Sequence, residues 1–290
     1  MRILLTGADG QTATSLKKVL GDEGEELVAL THRDLDICDA SRVRDTVRSL
    51  RPDVVINTAA LRRPDMCEKE PDRAFAVNAL AARNLALACA EESSALLQVS
   101  TDYVFDGRKK SPYMEEDEPN PLNVYGVSKL AGEYFVRYLL DEHYIVRTSG
   151  IFGEISPSGK DTNFILTMIR RARENGECQV VTDQYVSPTY TVDLAKKISW
   201  LIRTREYGLY HITNQGQCSW YELARALFER AGLKARLLPM TTDAFKTPAR
   251  RVPYSVLGHG ALQRLKANDL PHWEDALERY LSDLRHAGWL

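Results

Sequence analysis

The chain opens on the apolar run Ile3-Leu4-Leu5 and turns at once through Thr6-Gly7-Ala8-Asp9-Gly10 into Gln11-Thr12-Ala13 and a segment of helical period. An apolar run, a glycine turn and a helix in that order form a βα unit, in which a buried strand feeds a helix that packs back on its sheet. Gly7 permits the turn, Gly10 lets a pyrophosphate approach the backbone, and the small Ala13 allows close helix packing. The unpaired amides at the helix start can then hold phosphates. Gly7, Asp9, Gly10, Gln11 and Thr12 are accordingly candidate cofactor-binding residues. The spelling alone also fits a purely structural turn, so residues further along have to decide.

The alternation continues through the first half. Strands are expected at about 2–6, 26–31, 53–57, 95–100 and 144–148. Helices fill the gaps from Gly10 to Leu20, from Ala40 to Leu50 with Asp39 as N-cap, from Pro71 to Glu91 with Pro71 in the first turn, and from Val124 to Asp141. Successive βα units imply an α/β fold with a doubly wound parallel sheet, the Rossmann architecture. After Gly153 a Ser/Pro/Gly-rich loop runs from Glu154 to Gly159; strands near 178–182 and 208–212 then alternate less regularly with helices near 162–174, 190–203, 219–231 and 273–285. Residues 1–153 are therefore expected to form the dinucleotide-binding domain carrying the catalytic residues. Residues 154–290 are expected to form mainly a smaller substrate-binding lobe, with some segments returning to the first domain.

Composition narrows the function. With 38 basic and 40 acidic residues the net charge is −2, which gives no electrostatic case for nucleic acid or an anionic membrane. No apolar run approaches the ~18 residues of a membrane span. The five cysteines, none in a CxxC pair, read as reduced thiols in a cytoplasmic protein. The six histidines are scattered and suggest no metal site. Arg170, Arg171 and Arg173 read as the solvated face of an amphipathic helix.

Chemistry enters at Val124-Tyr125-Gly126-Val127-Ser128-Lys129. A spacing of four puts Tyr125 and Lys129 on one helical face, where an ammonium would favour the phenolate and make the phenol a usable proton donor near neutral pH. Thr101, expected at the C-terminal end of the fourth strand, lies where such folds bind ligands and can hold a carbonyl oxygen. The catalytic candidates are thus Thr101, Tyr125 and Lys129. The second strand ends at Leu30-Thr31-His32-Arg33, where an Arg accommodates a 2′-phosphate and an acid would bond a 2′-hydroxyl. Arg33 favours NADPH; Asp34, one residue on, keeps NADH as the alternative. Asp36 and Ile37 are expected beside the adenine, and Asn57-Thr58-Ala59-Ala60 supplies small residues, Ala59 and Ala60 among them, where the cofactor backbone passes.

With these residues in place, the sequence resembles the extended short-chain dehydrogenase/reductases and, within them, the dTDP-4-dehydrorhamnose reductases. The likeness covers nearly the whole chain and is carried by Thr6-Gly7-Ala8-Asp9-Gly10-Gln11, Leu35-Asp36-Ile37, Val99-Ser100-Thr101-Asp102-Tyr103-Val104-Phe105-Asp106-Gly107, Val124-Tyr125-Gly126, Arg147-Thr148-Ser149, Pro188-Thr189-Tyr190 and Ser255-Val256-Leu257. The resemblance implies the catalytic roles of Thr101, Tyr125 and Lys129 and contacts of Tyr125 and Lys129 to the cofactor. It also implies a nucleotide-sugar substrate and reduction of its C4 ketone, most directly dTDP-4-dehydro-L-rhamnose to dTDP-L-rhamnose. Related 4,6-dehydratases carry an Asp-Glu pair after the Thr; here Asp102 is followed by Tyr103, so reduction fits better than elimination.

Four positions depart from the family pattern. Gly150 replaces an aromatic residue after Arg-Thr-Ser, Pro64 lies in an unusual loop Leu61-Arg62-Arg63-Pro64-Asp65, and Val186 replaces a Gly. Ser15 stands where some relatives carry a Glu that binds an intersubunit magnesium, so neither that metal nor its dimer is expected, and the chain is read as monomer or homodimer. Candidate substrate contacts are Pro64, Thr101, Asp102, Gly150 and Arg251. Two other readings stay open: a non-catalytic regulatory subunit like those of methionine adenosyltransferase, and a reductase or epimerase of another nucleotide sugar.

Overall fold

A computed structural model describes residues 1–154 and 163–290; beyond Glu154, the loop expected up to Gly159 lies outside the described residues. The chain runs β1 (Arg2–Thr6), α1 (Gln11–Asp22), β2 (Glu26–Leu30), α2 (Ala40–Leu50), β3 (Val54–Asn57), α3 (Pro64–Lys69), α4 (Pro71–Phe75), a π-helical turn over Ala76–Leu80, α5 (Ala81–Glu92), β4 (Ala95–Thr101), α6 (Val124–Leu139), β5 (His143–Thr148) and β6 (Ile151–Phe152). It continues through α7 (Phe164–Asn175), β7 (Glu177–Val181), β8 (Tyr185–Val186), β9 (Thr189–Tyr190), α8 (Thr191–Thr204), β10 (Gly208–His211), β11 (Cys218–Ser219), α9 (Trp220–Ala231), β12 (Arg236–Met240), α10 (Gly260–Arg264) and α11 (Trp273–His286).

Six strands pair in parallel in the order β10-β5-β4-β3-β1-β2. Because both faces are covered, Ile3, Leu4 and Leu5 are all fully buried, as a continuous apolar strand requires. On one face Leu16 and Leu20 of α1 pack with Leu194, Ile198 and Leu201 of α8; on the other Val43 and Val47 of α2 pack with Leu85 of α5 and Val136 of α6. Helix α8 and strand β10 thus join the sheet layers from beyond Gly153. A separate core holds Ile165, Ile169, Leu223, Leu227, Leu277 and Tyr280 from α7, α9 and α11 over the two-stranded β7–β12 sheet. The strand order reverses between β1 and β3, and a crevice at the carboxyl ends of the strands opens there.

Most expected boundaries shift by one or two residues, and Asp39 caps α2 by accepting from the Ser41 and Arg42 amides. Two expectations are corrected. The single helix from Pro71 to Glu91 is interrupted by the π-helical turn, which aims the buried Asn78 side chain inward to accept from Leu61 N at 2.9 Å and donate to Ser128 Oγ at 3.0 Å. Pro64 does not lie in a loop: it is the first residue of α3, where its fixed φ and missing amide cost nothing. Strand β12 escapes a sequence reading because Pro239 interrupts it; in a two-stranded sheet that position is tolerated. Ser15 lies buried on α1 and its hydroxyl meets Thr191 Oγ1 at 2.8 Å, joining α1 to α8. Among the described residues no helix is long and apolar enough to cross a membrane.

Helix α6 sits unusually close to the π-helical turn, since a Cβ on Gly132 would stand 2.3 Å from the Asn78 carbonyl oxygen. Gly132→Ala should therefore push α6 off its seat and cost about 1–3 kcal/mol, read as a lowered midpoint in urea at unchanged slope; an unchanged midpoint would contradict the close approach.

Candidate active site

The site is assembled at the start of α6. Asn123 caps the helix by accepting from Gly126 N at 2.9 Å and donates to the Arg250 carbonyl at 2.9 Å, while Val124 N donates to Glu68 of α3 at 2.9 Å. The helix start is thereby pinned from two directions, and Tyr125 is held with its ring edge-on to Tyr103, centroids 5.7 Å apart. Thr101 ends β4, donating to Asp102 Oδ1 at 3.0 Å and accepting from Tyr103 N at 3.2 Å. Its side chain faces the Tyr125 phenol and favours the ionised form by hydrogen bonding. Lys129, one turn along α6, is buried and donates to the Val99 carbonyl at 2.6 Å.

The structure corrects one electrostatic expectation. Burial pushes the Tyr125 phenol above its ordinary value and outweighs the Thr101 hydrogen bond; Asp102 adds to the rise. Burial lowers Lys129 to about 8, against the opposing attraction of Glu133. In the protein alone Tyr125 is therefore a protonated phenol, not an acidified one, because desolvation penalises the phenolate more than the Thr101 hydroxyl favours it.

Asp102 accepts three hydroxyls, from Thr101, from Ser149 at 2.7 Å and from Ser255 at 2.5 Å. Burial raises its carboxyl while these donors lower it. It lines the cleft, yet its oxygens tie the ends of β4 and β5 to the late segment. Arg251 Nη2 bonds Asp65 of α3 at 2.5 Å and also bears on the half-buried Tyr103 phenol.

Three cavities meet here. The first, about 310 Å³, is lined by Gly10, Gln11, Thr12, Ala60, Pro64, Thr101, Asp102, Tyr125, Lys129, Gly150 and Arg251. A second of about 310 Å³ is lined by Gly7, Asp9, His32, Asp36, Ile37 and Ala59, and shares Gly10, Thr58, Ala60 and Arg62 with the first. A third of about 280 Å³, with Phe164, Arg171, Trp220 and Phe245, shares Tyr103 and Arg251 with the first. The exception among the sequence candidates is Arg33, which is exposed and lines none of the three. Asp34 closes the turn by accepting from Thr31 N at 2.9 Å and Thr31 Oγ1 at 2.7 Å, which leaves His32 at the cavity wall and Arg33 outside it. The same bonds occupy the Asp34 carboxylate. The aromatic third cavity escaped the sequence reading, since Phe164 and Trp220 lie 56 positions apart and meet, centroids 4.6 Å apart, only through the lobe's packing.

The residues fit a dinucleotide. Gly7 has φ +73° and a Cβ there would stand 2.7 Å from Ala59 N, so the turn needs glycine for both reasons. Gly10 precedes helix α1 as its N-cap and brings no side-chain cap, leaving the helix start open to an anion. Gln11 Nε2 and Thr148 Oγ1 are buried without a hydrogen-bond partner, and both residues line the first cavity.

Comparison with known proteins agrees with this architecture. A family model described as the RmlD substrate binding domain matches residues 1–286. The chain belongs to that family. The spore coat polysaccharide biosynthesis protein SpsK of Bacillus subtilis (strain 168) is 39% identical over 97% of each chain. A dTDP-4-keto-6-deoxy-D-glucose reductase of Streptomyces niveus is 39% identical over 95% of each. Among solved structures, the dTDP-4-dehydrorhamnose reductase of Bacillus anthracis str. Ames in complex with NADP is 40% identical, with TM-score 0.93 over 97% of this chain and 99% of that one. In this RmlD-family chain, Asp102→Ala would strand three hydroxyls and should cost about 1–3 kcal/mol, measured as a lowered thermal midpoint; full retention of stability would show that the three donors have other acceptors.

Proposed function

We propose that the protein is an NADPH-dependent reductase of the C4 ketone of a dTDP-4-keto-6-deoxyhexose, converting dTDP-4-dehydro-L-rhamnose to dTDP-L-rhamnose. The observation that carries the reading is the convergence of Thr101, Tyr125 and Lys129 on one cavity that runs on into the glycine-turn cleft. Relatives at this level of identity named as reductases of dTDP-4-keto sugars, one of them in complex with NADP, support it.

When bound, a reduced nicotinamide supplies a hydride to the carbonyl carbon. Everything else falls to the chain. The cofactor would lie with its phosphates at the start of α1, against Gly7, Asp9, Gly10, Gln11 and Thr12, its adenine end by Asp36 and Ile37, and its middle along Ala59 and Ala60. Thr101 orients the substrate oxygen. Tyr125, kept protonated by its burial, gives its proton to that oxygen, the direction a reduction needs. The charged Lys129 then stabilises the phenolate left behind and holds the nicotinamide ribose. Among the described residues lining the first cavity, Asp102 is the sole carboxylate, so the acid and base pair of a dehydratase is missing.

The substrate would place its sugar beside Pro64, Gly150 and Arg251, with the smooth Gly150 in place of a stacking ring. The nucleotide base would lie in the third cavity, against the packed Phe164 and Trp220 rings, with Arg171 on the wall of the same cavity to meet the diphosphate. The 2′-phosphate of NADPH would meet Arg33 and His32 at the end of β2. Residues 1–153 would bind the cofactor and most of 154–290 the nucleotide sugar, in a cytoplasmic setting. The regulatory-subunit reading is disfavoured by the intact tyrosine and lysine.

Absorbance of NADPH and, separately, NADH is followed with each dTDP-4-keto-6-deoxyhexose. Tyr125→Phe should lower turnover by about 10²–10⁴ while cofactor binding persists; cofactor binding without turnover on any 4-keto sugar in the unmodified protein would return the regulatory reading. Arg33→Ala should raise the KM for NADPH more than that for NADH, and equal effects on both would remove the 2′-phosphate assignment.

A further inference from the structure

Below the site, three side chains from three elements form a closed charged network that the proposed reaction does not use. Glu133 lies on α6 one turn beyond Lys129. Its carboxylate accepts from Ser100 Oγ on β4 at 2.5 Å and from Arg147 of β5 at 2.6 Å through Nη2 and 3.0 Å through Nε. Arg147 and Glu133 are each 1% exposed. The guanidinium is further held over the Phe105 ring, 5.1 Å from its centroid. Ser100 precedes Thr101 and Arg147 precedes Thr148, so the network touches the strand ends that form the cavity floor.

We propose that Glu133, clamped between Ser100 and Arg147, is the positioning residue that keeps Lys129 charged. A buried ammonium whose shown hydrogen bond is to one strand carbonyl is poorly solvated, and a fixed carboxylate one turn away supplies the missing field. Glu133 is the charge that bears on Lys129, and it raises the lysine's affinity for its proton. Arg147 acts on Lys129 through Glu133, holding that carboxylate in place.

The other groups packed around the network do not compete with it. His211 of β10, which faces Arg147, is held neutral, its imidazole lowered to about 3 by burial and by that guanidinium. Cys67 of α3 and Tyr103, which face Tyr125, are raised by burial, Cys67 to about 11, and stay protonated. Asp102 is occupied by its three hydroxyls. Glu133 is therefore the group positioned to set the protonation of Lys129.

The inference deepens the reductase reading but is tested without it. In lysine-15N-labelled protein the Lys129 Nζ resonance, assigned by its loss in Lys129→Met, is titrated from pH 6 to 10. Glu133→Gln should move the midpoint down by about one pH unit or more, and Glu133→Asp, which keeps the charge, should hold it nearer the original. The NADPH dissociation constant should rise in the Gln variant at pH 8 far more than at pH 6. An unmoved midpoint, equal shifts in the Gln and Asp variants, or a pH-independent loss of NADPH binding would overturn the proposal and leave Glu133 a scaffold residue. Should the Gln variant fail to fold, Glu133→Gln/Arg147→Met removes both buried charges together; a midpoint still displaced downward supports the role of Glu133, and one restored to the original overturns it. Absence of turnover on 4-keto sugars in the unmodified protein, with the Lys129 midpoint still moved down by Glu133→Gln, would count against the reductase reading alone.

Discussion

The seating of α6 against β4 and β5 is the constraint on which the rest of this structure rests. The helix presents glycine where it must come closest: a Cβ on Gly126 would stand 2.2 Å from the Tyr103 carbonyl oxygen, and one on Gly132 2.3 Å from that of Asn78. Such an approach brings Lys129, Glu133 and Arg147 into the interior together. Removing one member of a buried ion pair costs about 3–5 kcal/mol because the other charge is left unpaired. The helix is therefore held in one register, and the register places Tyr125 opposite Thr101.

Around that helix the site is tied together by polar contacts that span long stretches of chain. Asp102 gathers hydroxyls from β4, from the end of β5 and from Ser255, and Arg251 reaches across to Asp65 on α3. Asn163 at the start of α7 donates to the Tyr280 hydroxyl at 3.0 Å, fixing α7 to α11 beside Gln11. The cleft is consequently continuous from the glycine turn, past the tyrosine, to the aromatic cavity of the later helices. A dinucleotide and a nucleotide sugar placed end to end would meet at Tyr125, which is the arrangement a hydride transfer between them requires.

Much of this was legible in the residues. The βα alternation, the glycine turn, the Asp39 cap and the four-residue spacing of Tyr125 and Lys129 are local features, and local features follow from backbone sterics and helical period. What escaped depended on neighbours distant in sequence. The π-helical turn at Ala76–Leu80 exists because Asn78 has partners in Leu61 and Ser128, and β12 pairs with β7 despite Pro239. Arg33 illustrates the intermediate case: its position at the end of β2 was readable, but the turn closed by Asp34 set which of its neighbours faces the cavity.

The sequence by itself determined the class of fold, the candidate chemistry and the residues able to perform it, because strand, turn and helix signals and the tyrosine–lysine spacing are written within short segments. Only the tertiary structure decided the protonation states at the site and the company those residues keep. Proton affinity depends on burial and on charges brought in from other strands and helices: the phenol of Tyr125 is raised by its surroundings rather than acidified by Lys129, and Lys129 is lowered by burial against the pull of a carboxylate anchored to β4 and β5.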